Sequence, residues 1–449
     1  MSGSLAGALR PLLCSCACTL AVLIATASAS AQGPRPGRPY RGLFGSGNAT
    51  GNLEQEVSVD ASVGTGYDDN LLADALDLST PTYSDLSTAH SGAVSSASGS
   101  ISYQLNRDRV SATANGGTSL RYYPSLETAN FVRRNYASGS LNVDIGKGLS
   151  AGALASYAPY SSASLFPVLL DSRTGQVAFD EDLVYSSQHY VSYEANLRYT
   201  HNLSRRTAIN LDAGYRVNDS SVYLSRFTGQ FLGGNVTHHV TRDMGLRLGY
   251  RYERSNYDTG ARAQTVLNHV IDAGVDYQRA LSKSRRTNVA FSTGASATTD
   301  RSGETFVRMI GTARLTHEIG RSWFTSIAYE RGVDYPEGWQ RPVFADSVLA
   351  SLNGFVTTRV ELEASVRAST GSDAFTNSDA NTYHTLYGNA GASFAINRSM
   401  SAGLTYAYYN QMYSDLVLLT PGFPPHVSRN SVRAYISFWA PVFQRTRRQ

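Results

Sequence analysis

Long segments of this chain alternate apolar and polar residues with a period of two. From Arg206 to Asp219, the residues Ile209, Leu211, Ala213, Tyr215 and Val217 fall on one face of an extended strand. Asn210, Asp212, Gly214, Arg216 and Asn218 fall on the other. Successive strand side chains point to opposite faces, so this segment has one apolar and one polar side. The pattern returns in Met244, Leu246, Leu248, Tyr250 and Tyr252 against Gly245, Arg247, Gly249, Arg251 and Glu253. It returns again in Val360, Leu362, Ala364, Val366 and Ala368, and in Val432, Ala434, Ile436, Phe438 and Ala440. A helix would need apolar residues at i, i+3 and i+4, and these windows lack that spacing. The expected class is all-β.

The connections are periodic as well. Short polar turns carry a basic residue: Arg107, Lys147, Arg205, Arg242, Lys283, Arg321, Arg359 and Arg398. Apart from one interval of 58, these lie 37 to 41 residues apart. Between them run variable stretches rich in Asp, Ser, Thr, Gly and Pro, such as Leu71 to Gly92, Ser161 to Asp182 and Ser414 to Pro425. Each interval reads as a strand up, a long loop and a strand down. Eight turns define sixteen strands, and one strand at each end makes eighteen. The weak segments near Ala93 and Thr287 leave sixteen as the alternative.

A strand with one apolar face must bury it. A propeller also repeats at about 40 residues, but with four short strands per repeat rather than two long ones. A sandwich wants bulky side chains on its inner face. Here the apolar face mixes Ala, Val, Leu and Tyr, and the polar face carries Arg, Asp, Glu, Asn and Gly. Strands can span lipid only as a closed barrel, because no backbone group may be left unpaired there. The expected architecture is therefore a transmembrane antiparallel up-and-down β-barrel with short periplasmic turns and long extracellular loops. Tyr122, Tyr123, Tyr157, Tyr160, Tyr250, Tyr252, Tyr257, Tyr329, Tyr335, Tyr406 and Tyr408 read as aromatic girdles at the headgroup level.

The ends fit export. Arg10, an apolar run from Leu12 to Ala27, and Ala29-Ser30-Ala31 form the three-part pattern of a cleaved signal peptide over 1–31. Residues 32–53 read as a flexible periplasmic leader, 54–443 as the outer-membrane barrel and 444–449 as a basic periplasmic tail. All three cysteines, Cys14, Cys16 and Cys18, lie in the signal segment. Thiol chemistry is thereby excluded from the exported part. The net charge of +4 is too small to indicate nucleic acid.

No Gly-x-Ser-x-Gly elbow, His-Glu-x-x-His, Walker loop or EF-hand loop appears, so no enzyme activity, cofactor or metal is expected. The functional candidates line the lumen instead. By alternation, Arg198, Asp212, Arg216, Arg247, Arg251, Asp272, Asp276, Arg314, Glu361, Glu363, Arg367 and Arg433 point inward. Mixed signs would give a wet, weakly selective interior. The plainer alternative is that these charges pair across strands and fill the barrel. Tyr387, Tyr409, Tyr435 and Trp439 are candidate saccharide-stacking platforms if they also face inward. Gly66-Tyr67-Asp68-Asp69-Asn70 ends the first strand. It reads as a strand-to-loop transition in which Asp and Asn cap exposed backbone. Two acids and an amide make only a weak calcium site.

A signal peptide, a first strand ending in Gly66-Tyr67-Asp68-Asp69-Asn70 and a barrel of this length resemble the outer-membrane β-barrel porin family found beside exopolysaccharide loci. That resemblance implies an eighteen-strand barrel. It also implies a conduit for secreted polysaccharide or a porin for small hydrophilic solutes, working in outer-membrane lipid with periplasmic polysaccharide-export proteins. A non-conducting anchoring barrel is the alternative. One departure stands out: outer-membrane proteins often end in an aromatic residue, whereas here Phe443 is followed by Gln-Arg-Thr-Arg-Arg-Gln.

Overall fold

The computed structural model describes residues 53–71, 91–125, 131–161, 184–220, 225–258, 263–277, 279–280, 287–299, 302–320, 322–334, 342–375, 383–413 and 426–446. The signal segment, the leader and most of the long variable stretches lie outside the described residues, as do Tyr335 and the side chain of Tyr160.

The alternating segments fold as strands: β1 (Leu53–Asp68), β2 (Gly92–Arg107), β3 (Val110–Tyr122), β4 (Phe131–Gly146), β5 (Leu149–Ser161), β6 (Val184–Asn202), β7 (Thr207–Ser220), β8 (Ser225–His239), β9 (Met244–Asp258) and β10 (Ala263–Tyr277). They continue with β11 (Arg279–Ala280), β12 (Thr287–Thr299), β13 (Thr305–Ile319), β14 (Trp323–Asp334), β15 (Val343–Thr357), β16 (Val360–Asp373), β17 (Tyr383–Ala395), β18 (Met400–Tyr413) and β19 (His426–Thr446). The two-residue β11 only resumes the pairing of the β10 region with β12, so eighteen long strands remain among the described residues. Both weak segments cross, as β2 and β12. Every long strand pairs antiparallel with the next long strand of the chain, and β1 pairs with β19, which closes the sheet on itself. The fold is a closed up-and-down barrel of eighteen strands.

Pairing runs slightly past the limits expected from the sequence. Leu53 pairs with Thr446 and Glu56 with Gln444, so Gln444–Thr446 belong to the last strand rather than to a tail. The reason is local: Glu54 ion-pairs with both Arg107 and Arg445, and Gln444 donates to Glu56 at 3.0 Å.

Register settles which face is which. Directly opposed residues share a face, so the row Val63, Ala97, Leu120 continues through Ile436 on the far side of β1. That face is the exterior. Val63 is 60% exposed, Leu248 64%, Val307 72% and Met309 72%. Apolar side chains this open, repeated around the whole circumference, suit lipid and not water. Among the described residues no helix is long and apolar enough to cross a membrane, and the strands alone do so. They exceed the roughly 9 to 11 tilted residues a bilayer requires. Phe443 ends the outer face, 47% exposed and opposite Val57.

Of the girdle tyrosines, Tyr122, Tyr157, Tyr250, Tyr329 and Tyr406 are exposed on the outer face. Tyr123 and Tyr257 are buried at 0% and 5% and stand on the inner face. Tyr123 packs there with Leu71, Val94 and Val132. Two adjacent tyrosines at a strand end cannot both meet lipid, because alternation sends one of them in.

Turn chemistry fixes the short end. Gly146-Lys147-Gly148 joins β4 to β5 with all three residues at positive φ, of 100°, 55° and 81°. A Cβ on Gly148 would also lie 2.0 Å from the Thr200 carbonyl oxygen of β6, so glycine is required twice over at this position.

Candidate functional site

The inner face is not uniform. On β1 to β4 small hydroxyls bond across strands, Ser58 with Ser102 at 2.7 Å, Ser62 with Ser98 at 2.7 Å, and Thr113 with Ser140 at 2.7 Å, and the arginines on this face, Arg121 and Arg134, are fully buried. On β6 to β9 the same face carries exposed charge. Arg216 of β7 donates to Glu194 of β6 at 3.2 Å. Arg251 of β9 donates to Asp212 of β7 at 2.8 Å, reaching over the intervening β8. The reach is possible because β8 puts Gly233 opposite both residues. A Cβ there would sit 2.9 Å from Asp212 Oδ1 and 3.3 Å from Arg251 Nε.

Arg251 is held on two further sides. Its guanidinium lies 4.9 Å from the centroid of the Phe231 ring. Its other terminal nitrogen is 3.7 Å from Glu253. Glu253 accepts from Asn268 Nδ2 at 3.2 Å, and Asn268 Oδ1 accepts from Ser296 at 2.8 Å and Thr298 at 3.2 Å. A single polar network thus crosses the inner wall from β7 to β12.

Beside it lies a cavity of about 370 Å³, whose lining includes Asp212, Asn235, Arg251, Glu253, Asn268 and Glu330. Six glycines line it, and four of them, Gly233, Gly249, Gly294 and Gly332, stand on the inner face. Missing side chains make the recess. At Gly332 an added Cβ would meet nothing within 4 Å, so this position opens onto free space.

The inward candidates divide by burial and place. Arg198, Asp212, Arg216, Arg247 and Arg251 stand on the inner face of β6, β7 and β9, and three of them, Asp212, Arg247 and Arg251, line the recess together. Arg314 stands on the inner face of β13, and Glu361, Glu363 and Arg367 on that of β16, apart from the recess. Arg433 is also inward but only 9% exposed, close to Asp68. Asp272 and Asp276 fall opposite Gly249 and Gly245 in register, and their side chains lie outside the described residues.

The four stacking candidates share the inner face but not accessibility. Tyr387 and Tyr409 oppose one another directly on β17 and β18 and are 3% and 4% exposed, so neither offers a free ring face. Tyr435 and Trp439 are half-buried further down β19. The Tyr435 ring lies across Gly403, where a Cβ would come within 2.2 Å of its Cζ.

Phe231, Asn235, Asn268 and Gly332 were not singled out from the sequence. A signal for the first was present: Phe227 and Phe231 break the polar face of β8, alternating with Gly229 and Gly233. An aromatic ring on a wet face calls for a partner, and Arg251 supplies it.

The motif residues fall at the junction of the first and last strands. Tyr67 is 53% exposed on the outer face, while Asp68 is 0% exposed. Asp68 accepts from Arg429 Nε at 2.8 Å and from its terminal nitrogen, so its carboxylate is occupied by arginine. Asp69 accepts from the backbone and side-chain nitrogens of Asn430, each at 2.6 Å. Asn70 donates to the Ser428 carbonyl at 2.9 Å. Among the described residues no group of three or more His, Cys, Asp or Glu could hold a metal ion.

No protein-family model matches the sequence, and no curated protein matches it either. The chain is similar to several solved structures at low identity. OprD of Pseudomonas aeruginosa is 10% identical, with 88% of this chain and 98% of that one covered, at a TM-score of 0.39. OpdQ of the same organism is 9% identical over 87% of this chain and 98% of its own, at 0.41. OccK2 of P. aeruginosa, solved in complex with glucuronate, is 9% identical over 87% and 100%, at 0.42.

Proposed function

We infer that this protein is a channel for hydrophilic solutes in the outer membrane of a Gram-negative cell, exported by the signal segment 1–31. The observation that carries the reading is the half-exposed, mixed-sign inner wall around a glycine-floored recess. Barrels of 16 to 18 strands are wide enough to leave an aqueous channel rather than a filled core. The Arg251 and Arg216 side chains are each 45% exposed. Ion pairs this wet contribute only about 0.2–1 kcal/mol, so stability does not account for them. A lumen that solutes cross does, since charges of both signs set weak selectivity.

Reconstitution into planar bilayers tests it. The wild-type barrel should pass current. Gly332→Trp should lower conductance by projecting a ring into open space, and Arg251→Ala should shift selectivity toward cations. A folded barrel that carries no current would instead support a non-conducting anchor.

A second reading, passage of a secreted polysaccharide with periplasmic export proteins as partners, draws on Tyr435 and Trp439, which retain part of their surface on the inner face. Soluble polysaccharide should then block the current, and Trp439→Ala should relieve the block. No block at any chain length would end that reading.

A further inference from the structure

Register lays out the outer face of β14 to β18 in rows, because directly opposed residues are neighbours on one face. One row reads Arg331, Asp346, Thr370 and His384, one residue from each of β14 to β17. The next is Val348, Ala368 and Leu386. Below it come Val366, Gly388 and Tyr408, and then Leu352, Ala364, Ala390 and Tyr406. Each apolar row sets small residues between large ones, so a trough runs down from a polar row. Two cavities mark it. One, of about 320 Å³, lies between the polar row and Ala368, with Val348 and Leu386 at its sides. The other, of about 530 Å³, lies over Ala364 and Ala390, between Leu352 and Tyr406. Gly388 stands between the two, and a Cβ there would meet nothing closer than 3.9 Å.

The polar row is built of donors and acceptors of both signs. Asp346 accepts from the Tyr329 hydroxyl at 2.5 Å and lies 3.8 Å from Arg331 Nε. Both partners of that ion pair stay open, Arg331 at 46% and Asp346 at 36% exposed. Thr370 donates to the Tyr383 carbonyl at 3.2 Å, so it accepts from His384 Nδ1 at 2.9 Å. A neutral His384 then presents Nε2 as an acceptor. Two acceptors, Asp346 and His384, thus flank Thr370, with a guanidinium beside them. The row lies where β16 and β17 join through the longer of their connections, which is the extracellular side.

We propose that this trough holds one zwitterionic phospholipid of the outer leaflet. Its ammonium sits between Asp346 and His384, its phosphate on Arg331, and one acyl chain over Ala368, Gly388 and Ala390. Charge complementarity selects the occupant. An anionic head would meet Asp346 and a cationic head would meet Arg331, whereas a phosphate–ammonium head satisfies both. Length agrees as well. The six residues from Thr370 to Ala364 cover roughly 20 Å of strand. At a tilt of 35–45° that is roughly 15 Å of depth, half of a hydrocarbon core about 30 Å thick. A second copy of the barrel, convex on every side, would rest on Val348, Leu386 and Tyr406 and leave the trough unfilled.

Trp323 lines the lower cavity and serves as the reporter. In the full chain with Trp339→Phe and Trp439→Phe, it is the one tryptophan left of three. The barrel is folded in dodecyl maltoside micelles, which carry neither phosphate nor ammonium. It is then titrated with phosphatidylethanolamine brominated in the distal half of its chains, since bromine quenches indole fluorescence on contact. Quenching should be half-complete at a lipid fraction on the order of tenfold below that needed for diacylglycerol with the same chains. Phosphatidic acid, which lacks the ammonium, should lie closer to diacylglycerol. Asp346→Asn should remove the preference for phosphatidylethanolamine, and Ala368→Leu should remove the saturable quenching. Ala213→Leu, on the outer face of β7, should change neither. Equal quenching by phosphatidylethanolamine and diacylglycerol would sink the proposal, as would an Ala368→Leu barrel that behaves like wild type. A preference that survives Asp346→Asn, or is matched by phosphatidic acid, would also overturn it. So would a Trp323 shielded from every lipid in a barrel that sizes as a dimer, because a second copy would then cover the trough.

Discussion

Two arginines on the inner face, Arg429 and Arg251, have the same parity in their strands and the same partner type, yet they do different things. Arg429 lies at the junction of β1 and β19, 4% exposed, against an Asp68 that is fully buried. Arg251 lies on the opposite wall, 45% exposed, spanning β8 to reach Asp212. A buried pair is costly to break, because the surviving charge has neither water nor partner. A wet pair is cheap to break, because water replaces the partner. The first arrangement suits a joint and the second suits a surface that solutes touch. Facing alone therefore does not tell a lumen residue from a structural one, and the degree of burial does.

Substitutions should rank accordingly. Asp68→Asn, which leaves Arg429 buried without its counter-charge, should cost about 3–5 kcal/mol, measured by urea titration in vesicles; a loss under 1 kcal/mol would erase the contrast between the walls. Next comes the exterior. Leu248→Arg should cost about 2–4 kcal/mol if the residue sits near mid-membrane, whereas Asn210→Arg, one face over on β7, should cost little; equal losses would contradict the assignment of faces. Asn268→Ala should cost about 1–3 kcal/mol, since it strips hydrogen bonds from Glu253, Ser296 and Thr298. Smallest should be Arg216→Ala, about 0.2–1 kcal/mol, because its pair with Glu194 is already in water. If Arg216→Ala proved as damaging as Asp68→Asn, the charged wall would be structural and the channel reading would lose its main support.

Much of the architecture is legible in the chain. Period-two alternation is a local property, and every strand of the barrel has it to some degree. The basic short turns recur with the hairpin repeat, which is why their spacing yields eighteen strands even though Gly92–Arg107 and Thr287–Thr299 look weak in isolation. Facing follows from the same arithmetic: Leu211 and Leu248 point out, and Asp212 and Arg251 point in, because a pleated strand permits nothing else.

Contacts between strands distant in sequence are a different matter. Nothing in Gly66 to Asn70 names Arg429 as a partner, since closure of the ring brings them together and no turn links them. The burial of Tyr387 and Tyr409 likewise depends on two strands meeting with these residues in register. The recess depends on glycines from β8, β9, β12 and β14, each unremarked in its own segment. By itself, then, the sequence determined that the chain alternates, how often it turns and which side chains share a face, all of which are set by backbone geometry over a few residues. Only the tertiary structure decided which inward charges are sealed in the junction and which remain wet, because burial is a property of what packs against a residue and not of the residue's own segment.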